Sequence, residues 1–313
     1  MKKDTHIINR HFDTFEEMEQ SAKNWSFKNI YKLLPHADTG SNHIIFLPDM
    51  QLTYSENNGG ILFDVKPPKG MMTVAVIETC KGKACFEETK LQEKMVVFAD
   101  DKKARTLITN NKFKVAIFSF SKQAYKSLSK KLIDHTGDAI KDHDDHLITI
   151  LNDALHTAIN TPETLNDISY QTGLQERLIR TLEKMLETQT PKRPKLTRGE
   201  RIAIEIRDRV YKKLNAKISI RSLAEEFEVS EQTLQNAFKS LFGFTPNIFI
   251  RHIKLNHVCK ALQKADASED TIIRISKKWG FTHMGHFSRY FTRLFGENPS
   301  MVLGRTCSSK KEH

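Results

Sequence analysis

The sequence predicts a two-domain α+β protein, with a β-rich N-terminal part followed by helices and an all-α C-terminal domain. Three observations lead there. Short apolar or alternating runs divided by turn residues fill the stretch from His43 to Phe120. The hydrophobic period then changes from that of a strand to that of a helix. Between Ile218 and Pro299 one small helical module is written twice. A chain of 313 residues has room for two domains.

Residues 1–40 carry a polar lead and one helix near Thr14–Ala22, after Asp13. The runs that follow are His43–Leu47, Met50–Ser55, Ile61–Val65, Thr73–Glu78, Met95–Ala99, Thr106–Thr109 and Lys114–Phe120. Their dividers include Asn57-Asn58-Gly59-Gly60, Pro67-Pro68-Lys69-Gly70 and Asn110-Asn111. Strands so punctuated suggest a β-sandwich or a small barrel, placed at residues 1–121. A closed sheet of that size can hold one small ligand.

From Lys122 the period is helical. Leu147, Ile148, Leu151, Ala154, Leu155 and Ala158 form one stripe. Leu174, Leu178, Leu182, Met185 and Leu186 form another, beyond a break at Thr161-Pro162. Such stripes pack on their own domain; a homodimer contact is their alternative use, so residues 122–190 are read as a helical linker and dimerisation region. Gln189–Thr197, with two prolines and three basic residues, places a linker at 191–199.

The C-terminal domain, 200–305, holds the duplicated module, with a polar tail at 306–313. The first copy, Ile220–Gly243, sets Leu223, Ala224, Phe227, Val229, Leu234, Phe238 and Phe242 at helical spacing. The second, Ile272–Gly296, does the same with Ile275, Ser276, Trp279, Phe281, Phe287, Phe291 and Phe295. Each copy reads as a short helix, a tight turn and a second helix ending in Phe-x-x-x-Phe-Gly. Two such units can lay their second helices into successive major-groove segments of one DNA face. Between them Thr245 caps, and Pro246 starts, a helix to about Lys264, which would hold the readers about one helical turn, ~34 Å, apart.

On the first reading helix Ser230 is placed as the N-cap. Gln232, Thr233, Gln235, Asn236 and Lys239 lie opposite the apolar side. Gln and Asn can pair with adenine through two hydrogen bonds, and Lys can neutralise a phosphate. The second helix, read as starting near Thr282 or His283, offers His283, Gly285, Ser288 and Arg289. Arg289 is the strongest single candidate, because its planar fork grips guanine or clamps a phosphate.

The charge agrees. From Pro191 to His313 there are 24 Lys and Arg against 12 Asp and Glu. That gives +12, and leaves −1 for residues 1–190 of a chain whose net charge is +11. A near-neutral part joined to a basic part is the footprint of a sensor attached to a nucleic-acid module.

No catalytic constellation emerges, no cofactor is called for and no metal site is assigned. The four cysteines (Cys80, Cys85, Cys259 and Cys307) are scattered, which suits a reducing cytoplasm. His43 stands alone in the strand region, where a metal-dependent oxygenase needs clustered His and carboxylate ligands. His283 and His286 lack acidic or Cys neighbours. The run Asp142-His143-Asp144-Asp145-His146 reads as a cap for the helix that follows. No signal peptide or membrane-length apolar run is visible, and the chain is expected in the cytoplasm.

The C-terminal residues resemble the AraC/XylS family of bacterial transcription regulators. The resemblance rests on Leu223-Ala224, Val229-Ser230, Leu234, Phe238-Lys239, Phe242-Gly243 and Pro246. It continues in Ile275, Trp279-Gly280-Phe281, His286-Phe287-Ser288-Arg289, Phe291, Phe295-Gly296 and Asn298-Pro299-Ser300. It covers residues 200–305, about a third of the chain. It implies a seven-helix DNA-binding domain with Gln232, Gln235 and Asn236 facing bases in one groove segment, and Gly285, Ser288 and Arg289 in the next. It also implies a cupin-like β-barrel before the helical linker, and activation through RNA polymerase. Ser276, His283, Thr292 and Val302-Leu303 depart from the family's usual residues. Two stretches, Thr233–Phe238 and Pro246-Asn247 with Ile253–Asn256, are similar to ethanolamine-operon regulators within the family. The expected function is promoter recognition under an N-terminal domain that senses a small molecule or partner. The alternatives are an architectural or protein-interaction factor, and an enzyme fused to a DNA reader.

Overall fold

The computed structural model of the chain describes residues 7–212, 218–266 and 270–303. The tail expected at 306–313, with Cys307, lies outside them. Two compact units are present: residues up to Ile30 with Asp38–Lys195, and Tyr31–Ala37 with Leu196 onward.

The first unit opens with β1 (Ile7–Phe12), α1 (Phe15–Ser21), β2 (Ser26–Lys32), β3 (Gly40–Leu47) and β4 (Met50–Asn57). There follow β5 (Ile61–Lys66), β6 (Met71–Cys80), β7 (Ala84–Phe86), β8 (Thr89–Leu91), β9 (Met95–Asp100), β10 (Arg105–Thr109) and β11 (Phe113–Ser121). Then come α2 (Lys126–Ile133), β12 (Ala139–Lys141), α3 (His146–Asn160), a 3-10 turn at Pro162–Asn166, and α4 (Ile168–Thr188). Each of the seven runs read from the sequence is a strand. Five more strands join them. β7, β8 and β12 have three residues each, too few to show a period, and β1 exposes Asn9, Arg10 and His11.

The strands form two open sheets. One runs β1-β3-β4-β11-β6-β9-β12, the other β2-β5-β10-β7-β8. The closed barrel implied by the resemblance is not formed. β12 and β8, each at one end of a sheet, are three residues long and have a single neighbouring strand; closure would require every strand to have two.

Alternation along the long sheet decides what each face covers. Leu52, Tyr54, Met72, Val74, Val76, Phe98, Phe118 and Phe120 point to one side and are buried against α2, α3 and α4. The stripe Leu174, Leu178, Leu182, Met185 and Leu186 of α4 lies in that same core. Asp142 anchors α3, its carboxylate accepting from the backbone N–H of His146, Leu147 and Ile148 at 2.9, 3.0 and 3.0 Å. Thr53, Thr73, Ala75, Ile77, Val97, Val115 and Ile117 point the other way, toward the second sheet. After α4 the chain folds back: Lys192 bridges Ala139, and Arg193 donates to Asp138 at 3.0 Å.

The second unit contains α5 (Arg198–Lys212), α6 (Ile220–Glu226), α7 (Glu231–Phe242), α8 (Pro246–Lys264), α9 (Ile272–Lys278) and α10 (Met284–Phe295). Residues 299–303 are helical as well. Tyr31–Ala37 packs within this unit, with Leu33 and Ala37 fully buried. The buried Asn256 of α8 grips it, accepting from Lys32 N–H at 2.8 Å and donating to Lys32 C=O at 2.7 Å.

Candidate nucleic-acid interface

The starts of α5 to α9 in the second unit are written in their side chains. Thr197 and Glu200 make a reciprocal box at α5: Glu200 N–H donates to Thr197 Oγ1 at 3.2 Å, and Glu200 Oε2 accepts from Thr197 N–H at 3.0 Å. The other Glu200 oxygen accepts from Ser240 at the end of α7, 2.8 Å away, so one buried carboxylate joins the two helices. Ser219 caps α6, Ser230 caps α7, Thr245 caps α8 ahead of Pro246, and Thr271 caps α9. Satisfying these otherwise orphaned N–H groups fixes where each short helix begins. Both reading helices, α7 and α10, end on a left-handed glycine: Gly243 at φ 72° and Gly296 at φ 79°.

Packing then sets which face is left over. On α7, Leu234, Ala237, Phe238, Leu241 and Phe242 are buried. Phe238 and Phe242 meet the ring of Phe249 on α8 at 5.7 and 6.1 Å. Behind them the buried Arg207 of α5 lies 5.8 Å from the Phe242 ring and donates to Asp208 at 2.8 Å. On α10, Phe287, Phe291 and Leu294 are buried against Leu255, Val258 and Leu262 of α8. The bridging helix therefore serves as the floor for both copies.

The remaining face of α7 exposes Gln232, Thr233, Asn236 and Lys239, with Gln235 half-buried. These residues do not all stand equally free. The Thr233 hydroxyl lies 2.9 Å from Ser230 Oγ, and its methyl faces the backbone of α5, where a Cβ on Gly199 would come within 3.2 Å. Gln232 donates to Asn236 at 2.9 Å, so these two amides are already aligned as a pair. The turn before α7 is acidic: Glu225, Glu228 and Glu231 are exposed there, Glu225 paired with Arg221 at 2.9 Å.

The face of α10 differs. His283, Gly285, His286, Arg289 and Arg293 are exposed, and Ser288 is half-buried. The helix begins at Met284, with His283 as an N-cap residue that makes no side-chain cap bond. A Cβ on Gly285 would touch nothing within 4 Å, so neither backbone geometry nor packing calls for glycine there. The imidazoles of His283 and His286 lie edge to face, 6.2 Å apart. Tyr290 is held against Arg251 of α8, 4.1 Å from guanidinium to ring.

Three of the departures have structural explanations. Ser276 is fully buried, and its hydroxyl donates to Ile273 C=O at 3.2 Å. Thr292 bonds Asn298 at 2.9 Å and so ties α10 to the closing turn. Val302 is buried in the core of the second copy. Sequence reasoning missed the Thr197–Glu200 box, although a Thr-x-x-Glu pattern announces it, and the clamp of Asn256 on Lys32, which no local pattern announces.

Two half-buried histidines, His252 and His257, lie on α8. Burial, with the nearby charge of Arg251, pushes His252 down to about 4. Burial, with Lys260, does the same to His257, also to about 4. His257 stacks on Trp279 at 4.3 Å, and the tilted Tyr31 ring lies 5.3 Å from it.

This geometry, two capped helices on one floor helix with polar faces outward, is that of tandem helix-turn-helix units. A model described as "Helix-turn-helix domain" matches residues 223–305. The XylDLEGF operon transcriptional activator of Pseudomonas putida is 36% identical over 103 residues, 33% of this chain and 31% of that protein. Residues 223–305 are thus similar to the helix-turn-helix domain of a bacterial operon activator, in line with the AraC/XylS resemblance of the C-terminal residues. Regulatory protein HrpB of Ralstonia nicotianae matches at 28% over 88 residues, 28% of this chain and 18% of that protein. Among solved structures, the AraC-like transcriptional activator CuxR matches with a TM-score of 0.44 and 12% identity, over 87% of this chain and 100% of its own. The chain spans about a third or less of the length of these two relatives.

Proposed function

We propose that the chain is a sequence-specific, promoter-binding transcription regulator, and an activator, as the name of the Pseudomonas putida relative describes that protein. The observation that carries this reading is the pair of exposed helix faces, α7 and α10, fixed on the single floor helix α8. In it Gln232, Gln235 and Asn236 face bases in one major-groove segment and Arg289, Ser288 and Gly285 in the next. Lys239, His283 and the partly engaged Thr233 approach the backbone. Phosphate contacts position the domain, and base contacts carry the sequence information. The first unit is the regulatory part, responding to a small molecule, and a homodimer places two such domains near RNA polymerase in the cytoplasm.

The test is to map binding of the full chain across its genome and to footprint the strongest sites. Discrete promoter sites, each with two contacted segments one helical turn apart, are expected. Sequence-blind coverage would sink the reading. So would a protected footprint limited to one groove segment, because the second reader would then be idle.

A further inference from the structure

In the first unit one face of the long sheet is covered by helices, and the other packs toward the second sheet around a core that includes Ile77, Val97, Val115 and Ile117 and is not completely filled. Between the two sheets lies a cavity of about 110 Å³. Protein interiors pack densely and leave few voids larger than a water molecule. This one is bounded by residues that alternate along the strands, such as Thr73, Ala75 and Ile77 on β6 and Val115 and Ile117 on β11, so it follows the pleat of the sheet. The opposite wall is aromatic, with Phe27, Phe63 and Phe86 from the second sheet and Trp25 beside them.

The chemistry of the lining is one-sided. None of its side chains carries a formal charge. Apart from Ser55, its polar side chains are each engaged by a protein partner. Thr53 accepts from the Trp25 indole at 3.3 Å and from Gln51 at 3.1 Å. Asn42 donates to Ser21 at 2.6 Å, Asn57 accepts from Gly59 N–H at 2.9 Å, and Thr73 is bonded to Ser119 at 2.8 Å. A carboxylate or phosphate would find no cation there. A sugar would lose its water and find few free donors or acceptors. Apolar cavities of about this size, on the order of 150 Å³, stay dry and admit benzene-sized guests.

From these observations we infer that the cavity is a binding site for a small, uncharged, apolar molecule of roughly six to eight non-hydrogen atoms, an aromatic ring or a compact hydrocarbon. The inference rests on the reading of the first unit as the regulatory part and names the chemical class it senses.

The probe is toluene, titrated calorimetrically into the full-length chain, with benzoate and glucose as the charged and polar comparisons. Trp25 lines the cavity, so its emission should shift with toluene. Expected is saturable toluene binding, and at least tenfold weaker binding of benzoate and glucose. Ala75→Leu and Val115→Leu, which fill the space, should each weaken toluene at least tenfold while the thermal unfolding of the chain is retained. Equal binding of benzoate or glucose overturns the inference, as does an unaltered toluene titration in both filled variants, or no toluene binding at all. Promoter binding is measured on the same samples. Its loss in the unsubstituted chain would count against the regulator and leave the cavity result standing.

Discussion

In the first reading module the turn residue with a left-handed backbone is Glu228, at φ 50°; in the second it is Gly280, at φ 84°. The reading helix of the first begins under Ser230, whose hydroxyl accepts from Thr233 N–H, whereas His283 offers the second no such bond. The outward face of the first is amide-rich beside an acidic turn, and that of the second is rich in arginine and imidazole. Yet both use an i, i+4 pair of phenylalanines, Phe238 with Phe242 and Phe287 with Phe291, packed toward α8 and closed by a left-handed glycine. A duplicated core tolerates little change because every methylene is felt. Faces and turns are freer. The difference suggests a division of labour, with the second module supplying charge-driven affinity and the first supplying neutral base readout.

The harshest way to break the comparison is through what the modules share. Phe238→Ala and Phe291→Ala should each cost about 3–5 kcal/mol of stability by opening a cavity. Chemical denaturation of the full chain checks this, and equal losses are expected in both copies. Next comes the faces. Arg289→Ala should weaken promoter binding by about 1–3 kcal/mol and relax one position of the site. It should also flatten the dependence of affinity on salt, which Gln232→Ala should leave almost unchanged because an amide displaces no counterion. Filter binding from low to moderate salt separates the two, and identical slopes would remove the division of labour.

Acid should act on α8, which both modules share. His252 and His257 are held near 4, below the unfolded value of 6.5. Between those values the unfolded chain takes up protons that the folded unit refuses. Stability is therefore full above about pH 6.5 and is lost as pH falls toward 4, by up to about 1.4 kcal/mol per pH unit from His252. Denaturation midpoints at pH 7 and pH 5 test the sign, and His252→Gln should shrink the difference. The smallest effects belong to the turns. Glu228→Gly should stabilise the first module by about 1 kcal/mol, since only glycine adopts a positive φ without cost. Gly285→Ala should raise the melting temperature slightly, by about 0.4–1 kcal/mol of stability. If DNA approaches that open position closely, the same change should weaken promoter binding; stabilisation with unaltered affinity would remove Gly285 from the interface.

Much of this was legible in local chemistry. The caps Ser230 and Thr245, the left-handed glycines, the strand runs from His43 to Phe120 and the repeated phenylalanines all act through neighbours three or four residues away, or through period two. The role of Asp142 as a cap was legible too, because a carboxylate ahead of an apolar run meets bare N–H groups. What escaped was non-local. The sequence of α4 reads first as a core stripe, with a dimer stripe as its alternative. Its burial follows from the apolar even-numbered face of the sheet, which needed a cover. Whether the strands closed into a barrel depended on the three-residue strands β8 and β12, too short to announce themselves. The tie from Gln232 to Asn236 is local, but it appears only once both side chains are placed.

The sequence by itself determined the two classes of structure, the duplicated reader and which helix faces remain polar, because periodicity and capping are properties of adjacent residues. Only the tertiary structure decided that Asn256 grips Lys32 from 224 positions away. It also decided that α3 and α4 cover one side of the long sheet while an uncharged cavity is left on the other. The physical reason is the same in each case. Burial and hydrogen-bond satisfaction are set by whichever distant groups arrive at the same place, and that is a property of the packed chain rather than of any segment of it.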